Sequence, residues 1–129
     1  MKLTSFILIF AIGLIVFFPN NFVIAKENEE IEFLLSFITD SDCIFIRNGE
    51  EHSAKDARKH LEMKYNHVKK RIKTAEDFIN KIATKSSLTR KLYQVSCAGV
   101  LLPTKSWLEE ALAHRRASME NQRENKPVE

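Results

Sequence analysis

Four histidines are the side chains best suited to acid–base or metal chemistry: His52, His60, His67 and His114. His60 and His67 are seven residues apart, or about 10.5 Å along a helix, which is too far for both to bind one metal ion. The sequence also has no His-Glu-x-x-His motif and no cysteine pair at the spacing of metal ligands. We therefore expect no metal site and no cofactor.

Two small groups of polar residues could form a site. His52 precedes Ser53, which we expect to cap a helix, so His52 can face a pocket at that helix start. Lys85 and Ser86 stand in a polar segment that we expect to be a loop. If these residues converge on one concave surface, they form a candidate binding site, whose members are Arg47, His52, His60, Lys85 and Ser86.

A small hydrolase that uses His52 near the loop at 85–87 is one functional hypothesis. The sequence contains no Gly-x-Ser-x-Gly motif, and both glycines after residue 25, Gly49 and Gly99, are explained by turns. This leaves little backbone freedom for strained catalytic geometry. The sequence therefore favours a non-catalytic binding or structural module, and we predict no catalytic residues.

The first 25 residues have the layout of a secretory signal peptide. Lys2 is their single charged residue, an apolar run fills 6–18, and Val23-Ile24-Ala25 ends the segment with modest side chains. A membrane-spanning helix needs about 20 apolar residues, more than this run provides. We predict cleavage after Ala25 and a periplasmic or secreted protein that is not an integral membrane protein after cleavage. An uncleaved anchor over 6–25 is the alternative.

The chain that follows has the composition of one globular domain. Of the 129 residues, 44% are hydrophobic and 29% are charged, which excludes a disordered or collagen-like chain. All 17 acidic and 19 of the 20 basic residues lie after residue 25, so this part is close to neutral. We predict a single domain over 26–116 and a disordered polar tail over 117–129.

Apolar periodicity and capping residues predict an α+β fold. Helices are expected at 28–39, 53–72, 74–84 and 106–116, the last begun by a capping box from Ser106 to Glu109. Short strands are expected at 43–47, 50–52, 93–97 and 100–102. Asn48-Gly49 is a strong signal for a hairpin turn, and Ala98-Gly99 can form a second turn.

The two cysteines, Cys43 and Cys97, both follow the predicted cleavage point. Antiparallel pairing of 43–47 with 93–97 would place them opposite each other, and an oxidising compartment would favour a disulfide. A redox-active pair is an alternative, although the sequence has no Cys-x-x-Cys motif. Two free thiols are expected if the protein is not exported.

The segment 55–73 carries eight basic residues and only two acids. Such a helix could bind an anionic envelope component, such as phospholipid or lipopolysaccharide, or a protein partner. Alternatively, the basic residues form a solvated face that pairs partly with the acidic start of the first helix. We expect no nucleic-acid binding, because the sequence has no helix-turn-helix, zinc-finger or RNP signature.

Several motifs resemble those of the YfeK-like family, domain of unknown function 5329. They are DCIFIRNG at 42–49, HSAKDARKHL at 52–61, KY at 64–65, TAEDFI at 74–79, ATKSS at 83–87, YQVSC at 93–97 and SWL at 106–108. The resemblance covers about 29–113 and departs from the family pattern at 88–92. It implies a small exported bacterial protein and assigns no activity or catalytic residue.

Overall fold

A computed structural model describes the backbone over residues 21–127 and the side chains from Ala25 onward. The predicted signal peptide therefore lies largely outside the described residues. The chain forms an antiparallel sheet packed with helices, which confirms the predicted α+β class. The helices are α1 (Asn21–Asp40), α2 (Ala54–Val68), α3 (Ala75–Asp77) and α4 (Thr104–Glu124), and the strands are β1 (Ile44–Arg47), β2 (Glu50–His52), β3 (Gln94–Cys97) and β4 (Val100–Pro103).

The sheet has the strand order β2-β1-β3-β4, and all three strand pairs are antiparallel. Ile44 lies opposite Ser96 and Phe45 lies opposite Val95, as the predicted pairing requires. This register brings Cys43 and Cys97 together at the end of the two central strands. They form a disulfide, so the free-thiol alternative does not apply to this structure.

Both hairpins turn through two residues in the left-handed conformation. Asn48 and Gly49 have φ angles of 52° and 79°, which fits a type I′ turn at the predicted hairpin. Ala98 and Gly99 have φ angles of 49° and 81°. Ala98 adopts this conformation despite its Cβ atom, because the turn between β3 and β4 has only these two residues.

The core lies between one face of the sheet and the helices. Leu34 and Ile38 of α1 are fully buried, as are Val95 of β3 and Leu108 of α4. The Trp107 ring packs against Phe37 and Phe45, with ring centroids 4.6 and 5.7 Å apart. The apolar faces predicted from helical spacing therefore meet in one core.

Three helix boundaries differ from the prediction. α1 begins at Asn21 rather than at residue 28, so it runs through the predicted cleavage point. The helix predicted over 53–72 ends at Val68 and continues as a single 3₁₀ turn over Lys69–Arg71. The helix predicted over 74–84 is one turn of α-helix followed by a π-helical turn, Phe78–Ile82, which ends where Ala83 N–H donates to the Phe78 carbonyl.

The last helix is longer than predicted at both ends. It begins at Thr104, and the Ser106 hydroxyl donates to the Pro103 carbonyl, so the predicted capping box does not form. The helix continues to Glu124, although disorder was predicted from Ala117. Residues 117–124 bury no apolar side chain, but they contain no proline or glycine and several strong helix formers.

A charged cluster links the helices α1, α3 and α4. Arg116 of α4 donates to both carboxylate oxygens of Glu30 in α1, at 2.9 and 2.8 Å, and to Glu76 of α3 at 2.6 Å. Glu30 is only 5% exposed. The hydrogen bonds from Arg116 lower the pKa of Glu30 and of Glu76, against the opposing effect of burial. Both acids are therefore ionised at neutral pH.

Candidate functional site

A cavity of about 220 Å³ opens between α2, the strands β1 and β3, and the first residue of α4. Its walls include the apolar side chains of Phe45, Ala57 and Leu61. Phe45 and Leu61 are buried in the core, and the more exposed Met63 and Lys59 lie at the rim. The cavity is therefore an apolar hollow with a polar edge, a common form of small-molecule site.

Arg47, His60 and Tyr93 form a hydrogen-bonded chain along this cavity. Arg47 Nη1 lies 2.6 Å from His60 Nδ1, and His60 Nε2 lies 3.3 Å from the Tyr93 hydroxyl. A guanidinium can only donate, so Nδ1 accepts and the proton of the neutral imidazole is on Nε2. His60 therefore donates to Tyr93, and both of its ring nitrogens are occupied.

The environment of His60 keeps its ring neutral. Burial, followed by the nearby charges of Arg47 and Lys64, lowers the pKa of His60 to about 4. A protonated imidazole would carry a hydrogen on Nδ1, which faces a guanidinium that cannot accept it. The geometry and the pKa thus agree that His60 is an uncharged link between two cavity residues at neutral pH.

The Lys64 amine binds the Tyr93 end of this chain of hydrogen bonds. Its amine donates to the Tyr93 hydroxyl at 3.2 Å and to the carbonyls of Ile82 and Lys85 at 2.8 and 3.0 Å. Ile82 is the last residue of the π-helical turn, so Lys64 pairs a carbonyl that this turn leaves without a helical donor. Burial, followed by the charge of Arg47, lowers the pKa of Lys64.

Two buried polar atoms of the cavity lining have no hydrogen-bond partner among the described residues. They are His52 Nε2 and Thr104 Oγ1. Thr104 is only 1% exposed. Leaving a buried polar group unpaired costs about 1–3 kcal/mol. Both residues line the cavity, and a molecule bound there is a candidate partner for the two atoms.

Arg47 supplies positive charge that no acid of the described chain balances through an ion pair. The one hydrogen bond from its side chain to a described residue is the bond to His60, so the remaining N–H groups of its guanidinium have no protein acceptor there. Asp56 also lines the cavity, but it is exposed in the first turn of α2 and does not pair with Arg47. The polar edge of the cavity is consequently rich in donors.

The structure brings three of the five predicted site residues together. Arg47, His52 and His60 all line the cavity. Lys85 and Ser86 do not: Lys85 pairs through its backbone with Leu92, and the Ser86 hydroxyl accepts from the Thr89 N–H at 3.2 Å. Ser86 is buried within its own loop, which explains why it is not available to the cavity.

The hydrolase hypothesis gains no support from this arrangement. Among the described residues, no hydrogen bond joins His52 to the loop at 85–87. His60 cannot act as a base without breaking its bond from Arg47. Residues 21–127 also contain no group of three or more histidine, cysteine or acidic side chains arranged to hold a metal ion.

Sequence reasoning missed two residues of the site, Tyr93 and Thr104. Tyr93 begins the predicted strand 93–97 and is buried, and its hydroxyl joins His60 to Lys64. Thr104 lies outside the predicted last helix, which was expected to begin two residues later. The signal that could have found it is Pro103, since proline commonly adjoins a helix start.

The basic residues of 55–73 divide into paired and exposed groups. Arg58 donates to Glu32 of α1 at 2.7 Å, as expected for a solvated face that pairs with the first helix. Lys64 points into the protein. Six others are exposed: Lys55, Lys59, Lys69, Lys70, Arg71 and Lys73. No helix within residues 21–127 combines the length and apolar character needed to cross a membrane.

Comparison with known proteins places this site inside the region that a family model matches. A family model described as "Family of unknown function (DUF5329)" matches residues 25–116, which include the whole cavity lining. The chain is 40% identical over 70 residues to "Uncharacterized protein YfeK" of Salmonella typhimurium (strain LT2). That match covers 54% of this chain and 58% of YfeK, so it spans less than two thirds of that relative. No solved structure matches the chain.

Proposed function

This chain belongs to the DUF5329 family, and we propose that it is an exported, non-catalytic module of the cell envelope that binds a small molecule in the cavity beside α2. The disulfide supports export, because structural disulfides persist in oxidising compartments such as the periplasm. The signal-like segment at 1–25 supports the same location. Binding is the function that best fits the cavity.

The observation that carries this proposal is the pair of unpartnered polar atoms, His52 Nε2 and Thr104 Oγ1, on one largely apolar cavity. Native proteins pair most of their buried polar groups, and exceptions call for an explanation. A bound molecule that hydrogen-bonds both atoms is such an explanation. The rigid chain from Arg47 to Tyr93 would hold the polar edge of the cavity in place before binding.

For His60 and Lys64, a role in binding rather than in proton transfer is supported by how the two groups are held. His60 has both ring nitrogens engaged, and the three described hydrogen bonds of the Lys64 amine use all its donors. A general base needs a free lone pair within reach of the substrate. These residues instead act as fixed donors and spacers.

Thermal unfolding in the presence of small molecules tests the binding function. The purified protein, with its disulfide intact, is heated with sets of neutral, anionic and cationic compounds, and a ligand of the native state raises Tm. Ala57→Leu fills the cavity from α2 while keeping a good helix former. We expect at least one compound class to raise Tm of the native sequence and not of this variant. The proposal fails if no class raises Tm, or if the Leu variant responds equally.

A second proposed contact is with an anionic surface through the exposed end of the basic segment. Lys69, Lys70, Arg71 and Lys73 lie exposed within five residues and have no ion pair with an acid of the described chain. We expect salt-dependent binding to vesicles that contain phosphatidylglycerol. Lys70→Gln with Arg71→Gln should weaken it, whereas Lys105→Gln with Arg123→Gln, in α4, should not. Equal weakening by both pairs would contradict this contact.

A further inference from the structure

The groups left free around the cavity are donors of hydrogen bonds. The Tyr93 hydroxyl already accepts from His60 and from Lys64, so its own hydrogen is available to an acceptor. The guanidinium of Arg47 has N–H groups beyond the one that His60 accepts. Thr104 adds a buried hydroxyl with no partner in the described chain. A ligand that satisfies these groups must therefore supply acceptors.

The positive charge of Arg47 further restricts the chemical class of the ligand. Arg47 is half-buried and makes no ion pair with an acid of residues 25–127, while His60 beside it is neutral. A single negative charge on the ligand would balance this guanidinium. A carboxylate fits best, because its two oxygens match the planar fork of arginine and can accept additional bonds from hydroxyl groups.

The size and walls of the cavity define the remainder of the ligand. Phe45, Ala57 and Leu61 offer only apolar contacts. The volume of about 220 Å³ exceeds the roughly 150 Å³ of an engineered apolar cavity in another protein that binds benzene. One ring or a short alkyl chain, joined to a carboxylate, would therefore fill it.

We propose that the cavity binds a small apolar monocarboxylate, with its carboxylate held by Arg47, Tyr93 and Thr104 and its apolar body against Phe45, Ala57 and Leu61. His52 Nε2 lies on the same lining and offers a further polar contact. This inference rests on the binding function proposed above and assigns it a ligand class.

Calorimetric titration with matched acids and amides tests the ligand class. The probes are hexanoate and phenylacetate, their neutral amides, and hexylammonium, each titrated into the purified protein at neutral pH. We expect both acids to bind about tenfold or more tightly than their amides, and hexylammonium not to bind. If the amides bind as tightly as the acids, the carboxylate assignment is wrong while the binding function stands. If none of the probes binds, the assignment is also wrong, and the wider thermal screen still decides the binding function.

Two variants with matched controls locate the carboxylate. Arg47→Gln should weaken the binding of both acids about tenfold and leave the amides nearly unchanged. Lys55→Gln removes the same charge from the exposed first turn of α2, outside the cavity lining, and should have only a small effect. Circular dichroism checks that each variant is folded. Thr104→Val preserves shape and removes only the hydroxyl, so it tests the site even if Arg47→Gln unfolds. Acid affinity that is unchanged in Thr104→Val, or equally reduced in Lys55→Gln and Arg47→Gln, would overturn the proposal.

Discussion

Arg47 and His60, thirteen residues apart, meet through a 2.6 Å contact between a guanidinium N–H and the Nδ1 lone pair. The hairpin that begins with β1 and the helix that follows it are joined by this contact. Because Arg47 only donates, the contact fixes the tautomer of His60 and directs its Nε2–H toward Tyr93. The Arg47 guanidinium therefore sets the donor-to-acceptor direction of the hydrogen bonds that run from Arg47 through His60 to Tyr93.

The first prediction concerns stability at mildly acidic pH. The folded pKa of His60, about 4, is below the value of 6.5 for an unperturbed histidine. Between these values the unfolded chain binds a proton that the folded chain does not, so stability falls as pH is lowered from 6.5 to 4. We expect a loss of about 1–2 kcal/mol from this group, since water screens part of the charge at a half-buried site.

Urea unfolding over that pH range, with and without His60→Gln, measures this loss. The Gln variant should lack the part of the pH dependence that His60 contributes. His114→Gln is the control, because the His114 side chain is 82% exposed. An NMR titration that shows His60 protonating with an ordinary midpoint would contradict the prediction.

We expect the replacement of threonine by valine to have opposite effects on stability at positions 84 and 104. The Thr84 hydroxyl donates to the Ile79 carbonyl at 2.7 Å, whereas the Thr104 hydroxyl has no partner among the described residues. Thr84→Val should therefore destabilise the unliganded protein by about 1 kcal/mol, and Thr104→Val should stabilise it by about as much. Denaturant unfolding of the two variants measures both. A destabilised Thr104→Val variant would mean that its hydroxyl is paired.

In the charged cluster around Arg116, we expect neutralising Glu30 to cost more stability than neutralising Glu76. Glu30→Gln should cost about 2–3 kcal/mol, because Glu30 is buried and accepts two bonds from Arg116. Glu76→Gln should cost less than about 1 kcal/mol, because the Glu76 side chain is 51% exposed. The lowered pKa of both acids means that this stability is present above pH 4.5 and is lost as the pH falls further. Equal costs for the two variants at neutral pH would contradict the assigned burial.

The disulfide predicts a large stability difference on removal. Cys43 and Cys97 are separated by 54 residues, and closing a loop of that length stabilises the folded state by about 4 kcal/mol in the chain-entropy account. Replacing both cysteines with serine should lower the free energy of unfolding by about that amount. Unfolding of the disulfide-bonded protein and of the double variant, both in urea, gives the comparison. Equal midpoints, or two free thiols in mass spectra of the protein purified from an oxidising compartment, would contradict it.

The sheet could be predicted from sequence because its determinants are local. Asn48-Gly49 sets the first turn, and the alternation around Val95 sets the inward face of β3. The π-helical turn could not be predicted in this way, since its last carbonyl is paired by Lys64, which is 18 residues away in sequence. The start of α4 was missed because Ser106 matches a capping box but donates to Pro103 instead.

The candidate site was also predictable only in part, because some of its residues are brought there by contacts that are distant in sequence. Arg47, His52 and His60 lie within one hairpin-helix segment, so their proximity follows from local structure. Tyr93 and Thr104 reach the cavity through pairing across the sheet, where the Thr104 N–H donates to the Tyr93 carbonyl at 3.1 Å. Lys85 and Ser86 were grouped with the site by their chemistry, but their loop folds on itself.

The Cys43–Cys97 bond closes a covalent ring around β1, β2, α2, the π-helical turn and β3. Every residue that lines the cavity belongs to this ring except Thr104. A protease that cuts the loop at 85–91 therefore leaves two pieces that migrate as one band without reductant and as two bands with it. The nicked protein also keeps both parts of the cavity wall tethered, so proteolytic damage at this loop and loss of the site are separate events.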